Sequence, residues 1–206
     1  MKIDLFVEDR AHEEFLKPLV SRVAMEENVI ANIRVRCARG GHSRAIKEYI
    51  LYQYVAGRGG IIDGTPDILI VAIDGNCTTA ARKRAEIENV TETAFREKLV
   101  TACPDPHIER WYLADPTSFN KVVGFHPEVT RTKCVRDHYK HLLTSAIRAG
   151  GHPIMLGGVD FAPELVGEMD FYDAGKNAPS LGAFVSDLRA KIRQITQITT
   201  NQKPRR

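Results

Sequence analysis

Hydrophobic positions along the chain alternate between two periods, and that alternation predicts the fold. Residues 68–73 (Ile-Leu-Ile-Val-Ala-Ile) are consecutive apolar positions with no polar break, as expected of a strand buried on both faces of a parallel sheet. Residues 2–8 predict a first, short strand. Residues 32–38 alternate polar and apolar, which suits a half-exposed strand at a sheet edge. Residues 98–103 give a fourth short strand. Between the strands the period changes to that of a helix. Phe15, Leu16, Leu19, Val20 and Val23 form one stripe, with Pro18 inside it, and Ala45, Ile46, Tyr49, Ile50 and Tyr54 form a second. A long helix is expected over residues 78–99, burying Ala81, Ala85, Ile87 or Glu88, Ala94, Phe95 and Leu99, and another begins near Pro106.

Strand and helix therefore alternate four times, which right-handed crossovers turn into an open, Rossmann-like α/β parallel sheet of about four strands in the order 2-1-3-4, with flanking helices. Beyond residue 116 the pattern is helical only. Residues 133–147 predict an amphipathic helix with a basic face, and residues 180–195 a last helix burying Leu181, Phe184, Val185, Leu188 and Ile192. The expected organisation is an α/β domain over 1–116, a helical extension over 117–198 packed on it, and a basic flexible tail over 199–206.

Composition changes this picture little. Across 206 residues, 43% hydrophobic and 27% charged content suits one globular unit with an appended helical part rather than two independent domains. No apolar run approaches the roughly eighteen residues of a membrane span, and the start has no signal-peptide pattern, so a cytoplasmic protein with no membrane partner is expected. The four cysteines, Cys37, Cys77, Cys103 and Cys134, form no C-x-x-C pair and read as reduced thiols. A net charge of +3 is only mildly basic, so the distribution of charge matters more than its sum.

Candidate chemistry sits at strand ends. Glu8 closes the first strand and Asp74 the third, followed by Gly75-Asn76 as a turn. Between strands one and three the sheet order reverses, and open α/β sheets bind ligands in that crevice. Two carboxylates delivered there suggest a site for a divalent cation. Acids at strand ends also serve as turn and cap residues. Glu13, in the first turn of the first helix, leans back toward Glu8 as a further metal-bridging acid, or else complements the helix dipole. Glu109, near the start of the helix after the fourth strand, is the third carboxylate such a site requires. Cations lie close by in sequence. Arg39-Gly40-Gly41-His42-Ser43-Arg44 is a Gly-Gly turn feeding a helix, with Arg39 and Arg44 placed to seat a phosphate or simply solvated, and Arg82-Lys83-Arg84 puts positive charge at a helix start, where the dipole disfavours it. Neither a Walker motif nor G-x-G-x-x-G is present, so no nucleotide-cofactor cradle is expected.

Taken together, Val7-Glu8-Asp9-x-x-x-Glu13, Ile73-Asp74-Gly75-Asn76 and Pro106-x-x-Glu109-x-Trp111-x-x-Ala114-Asp115 resemble the TOPRIM fold. Within it, the chain resembles the small bacterial TOPRIM-like proteins related to the OLD and RloB nucleases, often found with phage-defence or mobile elements. The resemblance covers about residues 1–116, and Pro179-Ser180-Leu181-x-x-Phe184 is similar to the C-terminal segment of the same group. It implies that Glu8 acts in acid or base chemistry and metal binding, and that a D-x-D pair holds Mg²⁺, with Mn²⁺ an alternative. This chain departs twice: Asp9 replaces the glycine of Val-Glu-Gly, and Asn76 replaces the second aspartate. An amide oxygen still ligates but brings no charge, which Asp9, Glu13 or Glu109 can restore.

The leading expectation is a Mg²⁺-dependent nuclease acting on DNA or RNA. Glu8, Asp74 and Glu109 would be catalytic, Glu8, Asp74, Asn76 and Glu13 metal-binding, and Arg39, Arg44, Arg82, Lys83 and Arg84 would contact the nucleic-acid backbone. Two alternatives stand beside it: a non-catalytic subunit dependent on a partner ATPase, and a receiver-like switch in which Asp74 accepts a phosphoryl group.

Overall fold

A computed structural model describes residues 1–60 and 64–201. Four parallel strands, β1 (Lys2–Val7), β2 (Asn32–Cys37), β3 (Ile68–Ala72) and β4 (Leu99–Ala102), form one sheet in the order β2-β1-β3-β4. Every residue of β3 is buried, whereas β2 is half-exposed at an edge, as its alternation predicts.

Helix α1 (Arg10–Glu26) runs unbroken through Pro18 and buries the predicted stripe. Helix α2 (His42–Gly57) starts at Gly41, whose φ of 76° suits glycine. The long helix expected over residues 78–99 is instead two pieces, α3 (Ala80–Asn89) and α4 (Thr93–Arg96). Gln53, buried on α2, makes the break: its Nε2 donates to Val90 O at 3.1 Å and its Oε1 accepts from Glu92 N at 2.7 Å. The break also changes the buried face. Ala81 and Ala85 point outward, while Ile87 and the stem of Lys83 face inward.

The short helix α5 (Glu109–Tyr112) begins later than expected, so Pro106 lies in the loop ahead of it. Helices α6 (Pro116–Val123), α7 (His138–Ala149), α8 (Ala162–Glu168), α9 (Phe171–Asn177) and α10 (Pro179–Asn201) complete the chain. The predicted basic helix starts five residues late because Cys134 and Asp137 take left-handed φ values of 60° and 56°. The backbone of α10 reaches Asn201, and the rest of the expected tail, 202–206, lies outside the described residues.

One core runs across residue 116. Phe15, Trp111, Tyr112, Phe119, Leu143, Leu181 and Phe184 belong to a single buried cluster with β1 and β3. Trp111 stacks on Phe184 with ring centroids 5.7 Å apart, and its indole N–H donates to Ser180 Oγ at 3.0 Å. On the opposite face of the sheet Phe6, Tyr49, Tyr52, Val71 and Ile87 form a second, smaller core. No described helix is long and apolar enough to cross a membrane.

Cys77 and Cys134, expected as reduced thiols, are paired as a disulfide with Cα atoms 4.8 Å apart, while Cys37 and Cys103 remain free. Their 57-residue separation in sequence hides the pairing. It depends on how the segment before α7 folds back over the β3–α3 loop, where Lys133 also bonds Thr78 O at 3.1 Å and Asp105 at 2.6 Å.

Candidate metal centre

The crevice between β1 and β3 gathers Glu8, His12 and Asp74, each offering a ligand atom within 4.8 Å of the others. Glu8 is the residue after β1, and its Oε2 accepts the backbone N–H of Asp74 at 3.1 Å, so the ends of the two strands are joined at the switch point. Gly75 makes the next turn tight. Its N–H reaches Pro104 O at 2.7 Å, and a Cβ there would lie 2.9 Å from that oxygen. The loop bearing Asp74 thereby lies against the loop bearing His107.

Each of the two central ligand atoms is fixed from behind. His12 is fully buried, and its Nδ1 donates to Asp9 Oδ1 at 2.8 Å. Asp9 is also the N-cap of α1, accepting the His12 backbone N–H at 3.1 Å. On the other side Asp74 Oδ2 accepts from His107 Nδ1 at 3.1 Å. What remains is His12 Nε2 and Asp74 Oδ1. They face each other at 3.2 Å, within ion-pair range, without a well-formed hydrogen bond between them, and neither has any other partner.

The charges respond to this crowding. Burial raises the Glu8 carboxyl above its ordinary range, with the Asp74 charge adding to the effect. Glu109, the opening residue of α5, is raised for the same two reasons. For Asp74, burial acts upward, but the His12 charge and the His107 hydrogen bond outweigh it and the net shift is downward. Burial opposes charge on His12 too, and Asp74 and Asp9 overcome it, pushing the imidazole well above its usual range. The pocket thus favours positive charge between these carboxylates, which either a proton or a cation supplies.

The expected site residues divide accordingly. Glu8 and Asp74 meet, and Glu109 is close enough to feel the Asp74 charge. Glu13 contributes no atom to the three-residue cluster and instead lies near Cys37, at the end of β2. Asn76 is exposed, with φ of 52°, and its amide turns back toward the Asp74 carbonyl at 3.5 Å. Among the cations, Arg39, Arg44 and Arg82 are exposed. Lys83 pairs with Glu86 at 3.0 Å, and Arg84 is committed to Asp187 of α10 and to Thr101 Oγ1.

His12 and His107 carry the arrangement without having been singled out as ligands from sequence. A signal for His12 exists. Positions 12, 15, 16 and 19 share one face of α1, so the histidine extends the buried stripe to the ligand end of the sheet, whereas Glu13 sits about 100° further round. Compared with known proteins, the chain matches no family model, no curated protein and no solved structure.

Proposed function

We propose that the protein is a divalent-metal-dependent phosphodiesterase acting on nucleic acid. The observation that carries this reading is the facing pair of ligand atoms, His12 Nε2 and Asp74 Oδ1, with no partner besides each other and Glu8 beside them. Two ligands about 2.1 Å from a common ion stand roughly 3.0–3.4 Å apart at octahedral to tetrahedral angles, and 3.2 Å falls in that interval. Mg²⁺ and Mn²⁺ are the ions suited to phosphodiester hydrolysis at such a site. A bound ion would polarise the phosphate and acidify an attacking water.

The chain's own residues divide the remaining work. Glu8 and Asp74 contribute ligand oxygens, His107 holds Asp74 in orientation, and Glu109, its carboxyl raised by burial and by the Asp74 charge, is the acid placed to take or give a proton. Arg39, Arg44 and Arg82, exposed at the surface with Arg44 paired to Glu48 at 3.0 Å, supply charge for a phosphate backbone. The TOPRIM resemblance of the same strand-end acids points the same way.

The test is cleavage of a DNA and RNA panel with Mg²⁺ or Mn²⁺. Chelation should abolish cleavage, and Glu8→Gln and Asp74→Asn should each lower it by about 100-fold or more. Wild-type rates in either variant refute the proposal.

A further inference from the structure

We infer that the ion of this centre is a first-row transition dication bound directly through His12 Nε2, with Asp9 as the positioning residue that makes His12 a ligand and so sets metal choice. The inference rests on the metal site of the proposed function, but not on nucleic acid being the substrate.

The donor set is two carboxylate oxygens and one imidazole nitrogen. Mg²⁺ prefers oxygen and water ligands in near-ideal octahedral geometry, whereas imidazole suits Mn²⁺ and the later first-row ions. His12 is built for ligation. Its Nδ1–H is engaged by the Asp9 carboxylate at 2.8 Å, which puts the free lone pair on Nε2 and raises its basicity. The ring is fully buried on α1 among residues that fix its orientation, and Nε2 has no hydrogen-bond partner. Asp74 mirrors it: Oδ2 is held by His107, leaving Oδ1 unpartnered and 3.2 Å from Nε2. Asn76, two residues beyond Asp74, adds no further carboxylate: its amide is exposed and turned toward the Asp74 carbonyl.

The experiment is Mn²⁺ binding to the full chain after chelator treatment, followed by electron paramagnetic resonance. Loss of the aqueous Mn²⁺ signal gives Kd, displacement gives the affinity for Mg²⁺, and pulsed spectra report ¹⁴N coupling from a coordinated imidazole. Wild-type protein should bind Mn²⁺ with ¹⁴N coupling and require at least about a tenfold excess of Mg²⁺ for half-displacement. His12→Gln should lose the coupling and weaken Mn²⁺ binding by about 10–100-fold while changing Mg²⁺ affinity far less. Asp9→Asn, at a half-exposed position and still able to cap α1, should keep the coupling but weaken Mn²⁺ by about tenfold, with unchanged melting in chelator.

Mn²⁺ bound without ¹⁴N coupling, displacement by equimolar Mg²⁺, or wild-type Mn²⁺ affinity in His12→Gln overturns the inference. The wild-type spectra decide it even if His12→Gln does not fold. Nitrogen-coupled Mn²⁺ with no cleavage of any nucleic acid defeats only the proposed function. Metal-dependent cleavage without nitrogen coupling defeats only this inference.

Discussion

Removing the Asp115 carboxylate should cost about 3 kcal/mol of stability at neutral pH, and the cost should shrink in acid. Asp115 is buried as the N-cap of α6 and accepts four hydrogen bonds: Thr117 N and Ser118 N, both at 3.1 Å, Ser118 Oγ at 2.6 Å, and Asp170 N, ahead of α9, at 2.9 Å. Losing the cap costs about 1 kcal/mol, and leaving the Asp170 N–H without its charged acceptor about 1–3 more. Ser118 Oγ loses less, since Glu168 O lies 2.8 Å away as a second acceptor. Asp115→Ala should thus be destabilised by about 2–4 kcal/mol. Asp115→Asn keeps a capping oxygen but turns an amide donor toward Asp170 N–H, so it should fall between the two.

The pH dependence has a definite sign. Burial raises the Asp115 carboxyl, but Ser118 and the backbone donors outweigh it, so its folded pKa lies below the ordinary 3.8. A depressed carboxyl contributes stability that is fully present above the unfolded pKa and lost as pH falls through the folded one. Urea denaturation of wild type and Asp115→Ala at pH 7, 5 and 3 measures the difference directly. It should be equal at pH 7 and 5 and shrink at pH 3. A gap under about 1 kcal/mol at pH 7, or one that widens in acid, refutes the account.

Two other outcomes follow from geometry. Gly75→Ala places a Cβ 2.9 Å from Pro104 O, so the loops bearing Asp74 and His107 must separate; Mn²⁺ binding should weaken by about tenfold or more, with the circular dichroism unchanged. Under oxidising conditions, peptide mapping should recover Cys77 linked to Cys134, while Cys103, whose thiol burial pushes up to about 12, alkylates slowly at pH 8 because only ~1 in 10⁴ molecules carries the thiolate there.

What was legible in the sequence is what depends on local period. Continuous and alternating apolar runs gave the four strands, and alternation with helices gave their order. The two strand-end acids, 66 residues apart, come together because that topology brings β1 and β3 side by side. What escaped depends on contacts distant in sequence. Gln53 breaks a helix nearly forty residues downstream of itself. Cys77 finds Cys134 only through the return of the later segment. Glu13 reads from sequence as the further acid, although the phase of α1 turns its neighbour His12 inward. Three of the five expected cations, Arg44, Lys83 and Arg84, are engaged by Glu48, Glu86 and Asp187, and only the Arg84 partner is distant in sequence.

The stacking of Trp111 on Phe184 has a consequence for synthesis. Every strand precedes Trp111 in the chain, yet the ring that stacks on the indole is encoded 73 codons later, and the Ser180 hydroxyl that accepts its hydrogen bond almost as late. A chain ending at residue 116 carries all four strands but lacks Phe184, so its aromatic flank at Trp111 is left uncovered. Release of α10 closes it, so the carboxy-terminal helix serves as the last stone of an arch whose other members are already standing.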